Sequence, residues 1–413
     1  MRNEAERLVS LAFRWTFPLY LAGALYVSGP VLAWVLLALL AWRWRQVMLH
    51  PIAWLWIVGM LLMEVALVVA HINMELPLLS MIKSSIGWAK GWALMALFVA
   101  GGALLRSPDV VYRGACHVGI VALCITPVFF VSGMAGLPEI LYVSPLMVVG
   151  GSGPEFFEVR LHEFDPGFGM TRLRYFAPWA PAIGLVGNIL LLLALQERDP
   201  RWRVAGSLGC FVMIVLSLSR LGWLVAIAVP GLLFLLKHSR RPAIWFAAVP
   251  LVFAAGILMP LMLPVAEVFF DNLMSARADS TLVRGWLAEI ALHRWQAEAP
   301  VWGHGVVETG PHLVQFMPIG SHHSWLGLLF VKGMVGVVAL ALPMLATTFY
   351  LLRRSARCAV SRTAFGAMLV LSLYTFGENL EILAYLFWPG MLLVGHALTT
   401  QGSCNEEDTQ PGR

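Results

Sequence analysis

Four places where an apolar chain turns polar carry groups that can hold an anion or carry a proton, three of them arginine-bearing and the fourth rich in histidine. The first is Arg172-Leu173-Arg174-Tyr175-Phe176, just ahead of an apolar run. The second is Ser217-Leu218-Ser219-Arg220-Leu221-Gly222, where Arg220 is the only charge in the 33 residues from Val204 to Leu236. Arginine keeps its proton and presents a planar fork of donors that fits phosphate oxygens. Placing one in or near a bilayer costs at least ~2.5 kcal/mol on insertion scales, so Arg220 reads as a functional group. The plainer alternative is an arginine at a hairpin turn that reaches for the interface. The third is Ser280-Thr281-Leu282-Val283-Arg284-Gly285-Trp286, with Ser280 a candidate cap. Leu282, Trp286 and Ile290 recur at fours, the pattern of a helix lying on a membrane surface. The fourth runs from Gly303-His304-Gly305 through His312 to Ser321-His322-His323-Ser324-Trp325-Leu326. Imidazole takes up a proton near neutral pH. Adjacent residues cannot share one helical face, so one member of the His322-His323 pair acts. Lys83 and Lys90 add positive charge. Interfacial anchoring is the plain alternative for Arg172 and Arg174, and snorkelling is the plain reading of the two lysines.

The elements that must position these groups are set by composition. Of 413 residues, 59% are hydrophobic and 12% charged, with a mean hydropathy of +0.78. Soluble domains carry about 25% charge, so a soluble enzyme, a disordered chain, a coiled coil and a disulfide scaffold are all excluded. The expectation is one integral membrane unit over residues 1–413, all-α and polytopic. Apolar runs long enough to span ~30 Å give about twelve transmembrane helices. Trp15–Trp42 is read as two of them, turning at Gly29-Pro30. Val204–Leu236 is read as two more, with Arg220 near the turn, and Pro242–Val265 as another. The first run is an anchor rather than a cleaved signal. Strands are not expected, because open sheet edges are not tolerated against lipid.

Lysine and arginine then set the orientation. With the N-terminus in the cytoplasm, 17 of the 28 basic residues fall in cytoplasmic loops or tails and nine on the outer side. Both polar stretches, 139–174 and 266–323, become outer loops, the second with an amphipathic helix. No cysteine falls in an outer loop, so no disulfide is expected in the oxidising compartment. No CxxC or HExxH is present, so no metal site is expected.

The ordered set Arg172-x-Arg174-x-Phe176, Ser219-Arg220, Arg284, Pro300-x-x-Gly303-x-Gly305 and His322-His323-Ser324-Trp325-Leu326, with Gly333 and Gly336, resembles the O-antigen ligase and polymerase superfamily of bacterial envelope glycosyltransferases. The resemblance covers residues 170–340. The family's His-Asn pair is His322-His323 here, which puts His322 on the family histidine. The resemblance implies a C-type glycosyltransferase-like fold in the bacterial inner membrane, with the active face periplasmic and both termini cytoplasmic. It implies transfer of a glycan from undecaprenyl diphosphate to an acceptor hydroxyl, without cofactor, metal or nucleic acid. Ligation to lipid A core is the favoured version. Polymerisation onto a lipid-linked glycan is the alternative within the family, and a flippase for lipid-linked sugars the alternative outside it. The roles implied are His322 and Arg220 as catalytic groups, Arg172, Arg174, Arg220, Arg284 and Lys83 on the diphosphate, and His323 and Ser219 in support.

Overall fold

The computed structural model describes residues 4–151, 153–165, 169–239 and 278–400, with scattered positions between 241 and 264. The span expected over Pro242–Val265, the start of the second polar loop and Cys404 lie wholly or largely outside the described residues. The helices are α1 (Glu4–Arg14), α2 (Thr16–Leu21), α3 (Leu25–Trp42), α4 (Pro51–Asn73), α5 (Leu78–Lys90), α6 (Trp92–Gly102), α7 (Asp109–Met134), α8 (Ala180–Ala194), α9 (Pro200–Leu216), α10 (Arg220–His238), α11 (Ala278–Glu298), α12 (Ser324–Ser355), α13 (Ala359–Tyr374) and α14 (Leu380–Thr399). Among the described residues, six helices are long and apolar enough to cross a membrane: α3, α4, α7, α10, α12 and α14. The α8 and α13 helices are apolar but shorter. The chain is therefore a mostly helical protein with the elements of a membrane bundle.

The bundle is built around α14. Apolar side chains surround this helix on all sides, so no face of it favours solvent, and it packs against α6, α8 and α13. The α9–α10 break falls at 217–219, as its serines and lone arginine foretell. The first hairpin turns elsewhere than expected. The chain reverses at Gly23, with φ of 63°, and Pro30 lies inside α3. The residue before a proline is normally driven out of the helical region by its Cβ. Gly29 has none, and a Cβ there would stand 2.6 Å from that of Tyr385. Lack of a side chain at position 29 thus permits both the proline and a close helix contact.

The expectation of no strands is also corrected. Residues 139–172 form two antiparallel ribbons, β1 (Ile140–Val143) with β2 (Glu158–Arg160), and β3 (Glu163–Asp165) with β4 (Met170–Arg172). The bar on open edges holds for backbone in hydrocarbon, and this stretch is polar. Cys358, at the start of α13, is disulfide-bonded, whereas the expectation of none concerned the oxidising side. In a reducing compartment that pair would stand as thiols.

One irregularity positions the site. Gly333 interrupts α12 with φ 60° and ψ −160°. The freed backbone groups are met by the segment just after α11. His304 N donates to Phe330 O at 2.8 Å and Gly305 N to Val331 O at 2.9 Å. Met334 N and Val335 N donate to Pro300 O and Val301 O at 3.0 and 3.2 Å. Non-helical backbone at membrane depth is tolerated where protein satisfies it in this way. A Cβ on Gly333 would lie 2.3 Å from Val301 O. Gly333→Val should therefore lower the thermal unfolding midpoint sharply, since backbone strain of about 1–3 kcal/mol adds to the clash. An unchanged midpoint in a detergent melt would contradict the seam.

Candidate functional site

Three helices begin side by side at one end of the bundle, and each start is capped. Ser219 Oγ accepts from Gly222 N at 3.1 Å, His323 Nδ1 from Leu326 N at 3.3 Å, and Asn379 Oδ1 from Glu381 N at 3.0 Å. The starts of α12 and α14 are tied together: Ser324 Oγ donates to Glu378 O at 2.7 Å and accepts from Leu380 N at 3.0 Å. Ser324 N donates to Thr375 O at 2.9 Å, and the Trp325 indole to Thr375 Oγ1 at 2.9 Å. The start of α10 joins through Tyr374, since a Cβ at Gly222 would stand 3.3 Å from the Tyr374 hydroxyl. Arg220 is thus the first helical residue of α10, His322 stands just before α12, and Glu378 just before α14. Aligned peptide dipoles favour negative charge at helix starts.

Burial and the Arg284 charge shift two of the titratable groups here. The Glu378 carboxyl is buried, which pushes its pKa up to about 7, although the Trp179 indole donates to Oε2 at 2.8 Å and the Arg284 charge also favours the carboxylate. Burial pushes the pKa of His322 down to about 4, with the Arg284 charge a second cause. Burial lowers His323 as well, and the bond its Nδ1 accepts requires the proton on Nε2. Arg284 itself is exposed on α11. Near neutral pH the end of the bundle therefore offers an imidazole with a free lone pair, a carboxyl poised to give or take a proton, and an exposed cation within electrostatic reach of both. Environments that push two pKa values apart are the usual mark of acid–base assignments. Such a set can hold an anion and move a proton.

The structure brings Arg220, Arg284 and His322 to this end, with Ser219 and His323 as helix caps. It uses Arg172 and Arg174 differently. The Arg172 guanidinium bridges Glu163 Oε1 at 2.7 Å and Asp165 Oδ2 at 2.8 Å, clamping β3 to β4. Buried Arg174 donates to Pro178 O and to Glu158 Oε2, the second at 3.1 Å. Both arginines therefore spend charge on the 158–165 carboxylates. Lys83 is exposed on α5. His304 is buried between Glu298, whose Oε2 is 2.8 Å from Nε2, and Phe330, on which its ring stacks. On α11 the packed stripe is Val283, Leu287 and Ala291, leaving Leu282 and Trp286 exposed beside it. Sequence reasoning misses Glu378, whose one signal is a carboxylate immediately before a capping asparagine and an apolar run. It also gives no role to Lys332, which is fully buried in α12.

No group of three or more histidine, cysteine or acidic residues able to hold a metal ion occurs among the described residues. A scan of protein-family models gives no match to this chain, and a search of curated proteins gives none either.

Proposed function

We propose that the protein is a membrane glycosyltransferase that moves a glycan from undecaprenyl diphosphate to an acceptor hydroxyl, with lipid A core the first acceptor to test. In this reading about twelve helices cross the inner membrane, both termini are cytoplasmic, and the cluster at the starts of α10, α12 and α14 faces the periplasm. The observation that carries it is the convergence of Arg220, Arg284, His322 and Glu378 at one end of an apolar bundle. Sequence resemblance alone supplies the choice of donor.

The donor diphosphate docks on Arg220 and Arg284 as its lipid tail stays in the bilayer. The bond from the anomeric carbon to phosphate oxygen breaks, and undecaprenyl diphosphate leaves with the electron pair. The acceptor oxygen forms the new bond to that carbon and gives its proton to His322 Nδ1 or Nε2. Fixed cations at the departing diphosphate stabilise charge as it develops. Docking also tunes the base: an anion beside Arg284 offsets the positive charge that helps depress His322, so the imidazole becomes more basic when the donor is bound. Arg172 and Arg174 hold the outer ribbons and lie outside the chemistry in this scheme.

The test is purified protein in nanodiscs with a defined undecaprenyl-diphosphate glycan and lipid A core acceptor. Glycosylated acceptor should form with wild type and fail with Arg220→Ala. Absence of transfer by folded wild type to lipid A core or to lipid-linked glycan would end the reading. Arg284→Gln should weaken donor binding by about ten- to a hundredfold, the range of a lost charged hydrogen bond. It should also raise the His322 pKa, read by histidine proton NMR. An unmoved His322 titration would break the link between these two residues.

A further inference from the structure

A polar cavity lies beside the start of α12, where Ser321 and Asn379, the neighbours of His322 and Glu378, line it. Its volume is about 310 Å³, and its lining includes Tyr26, Lys90, Trp92, Ser321, Lys332 and Glu381. That volume sits at the lower end of the ~300–1,000 Å³ of small-ligand sites. It exists because α5 and α6 break at Gly91, where a Cβ would meet Glu381 Cγ at 2.6 Å, and because α12 breaks beside Lys332.

The charges in and around this cavity balance. Lys332 is fully buried, and the charges that reach it are the carboxylates of Glu381 and Glu64. Lys90 is already engaged, with Nζ 2.8 Å from Gly150 O and 5.8 Å from the centre of the Tyr26 ring. A surplus of positive charge, which an anion would need, is missing. What the lining offers is donors and acceptors together: ammonium groups, a carboxylate, and Ser321 Oγ, which is buried with no hydrogen-bond partner. Aromatic rings of Tyr26 and Trp92 add apolar faces. Hydroxyls that both give and accept, carried on a ring with apolar faces, match that set.

A second hollow continues from the same neck. It has a volume of about 440 Å³, is almost wholly apolar, and runs along Val27, Val31, Trp34, Val35 and Ala38 of α3. Tyr26 and Lys90 line both spaces. The groove lies on a helix apolar enough to cross a bilayer, and Val31, Trp34 and Val35 are exposed along it.

We infer that Tyr26 and Lys90 form the neck of a binding site for an uncharged glycolipid, with its sugar head in the cavity beside Lys332 and its hydrocarbon tail along α3. The site does not rest on the transferase reading, and its test does not use transfer activity. The probe is dodecyl β-D-glucoside with a diazirine near the end of the tail, added to protein extracted without sugar detergents and held in phosphatidylcholine nanodiscs. Photolabel should map to residues 27–38, and excess dodecyl β-D-glucoside should compete it. Dodecanol and dodecyl phosphate should compete at least about tenfold less well. Gly87 lines the cavity, and nothing lies within 4 Å of the place its Cβ would take. Gly87→Trp, whose Cβ finds open space, should therefore fill the cavity and cut competable labelling by about tenfold. Lys332→Met should do the same if it folds. Equal competition by dodecanol would leave only a lipid-contact surface, equal competition by dodecyl phosphate would make it an anion site, and label outside α3 would remove the tail groove. Any of these overturns the inference.

Discussion

His322→Ala should slow glycan transfer by about 10²- to 10⁴-fold, the usual worth of a positioned general base, while donor binding stays close to wild type. The split matters because Arg220 and Arg284, not the imidazole, carry the diphosphate in this scheme. Dissociation of labelled donor and single-turnover transfer on the same sample separate the two quantities. The pH profile identifies the base. Burial holds the His322 pKa down at about 4 and lifts that of Glu378 to about 7. A base must be unprotonated, so kcat/KM should rise with pH through the value of the responsible group and then level off. A rise near 4 that vanishes in His322→Ala assigns the imidazole. A rise near 7 that survives His322→Ala and vanishes in Glu378→Gln transfers the role to the carboxyl and refutes His322.

Arg172→Met should destabilise the protein by about 3–5 kcal/mol, the scale for removing one partner of a buried ion pair. Asp165 is 1% exposed and would lose the guanidinium that faces its Oδ2 at 2.8 Å, leaving a buried charge less compensated. The melting midpoint in detergent should fall, and proteolysis should begin within 158–172. Arg172→Met with Asp165→Leu should recover much of the loss, because the stranded charge is gone. Transfer per folded molecule should hardly change. A selective loss of donor affinity with an unchanged melt would return Arg172 to the diphosphate.

The parts legible in the sequence are those fixed by local chemistry. Arg220 is visible because one charge in 33 apolar residues is costly, and the serines beside it mark the break that the structure shows. The helical periodicity after Ser280 finds α11 but selects Leu282 and Trp286, because sequence cannot tell a stripe facing lipid from one facing protein. Pro30 misleads for a similar reason: the glycine before it makes a helix possible only once Tyr385 supplies a partner. Arg172 and Arg174 look free in sequence since their acid partners lie on strands formed by pairing across the loop. Glu378 is the largest omission. Burial raises its pKa, and the groups that meet it, such as the Trp179 indole, come from positions as far as 199 residues away.

The seam at Gly333 joins two stretches chiefly through main-chain hydrogen bonds, with the His304 ring stacked on Phe330 beside them. Between its two edges, residues 306 to 329 form a loop that runs into the first turns of α12 and is pinned at both feet. That loop carries the Ser321 end of the sugar cavity and His322. Inserting one residue between 306 and 318 leaves the pins intact but changes the slack with which the loop presents both, so loop length can retune reactivity while the bundle stays folded.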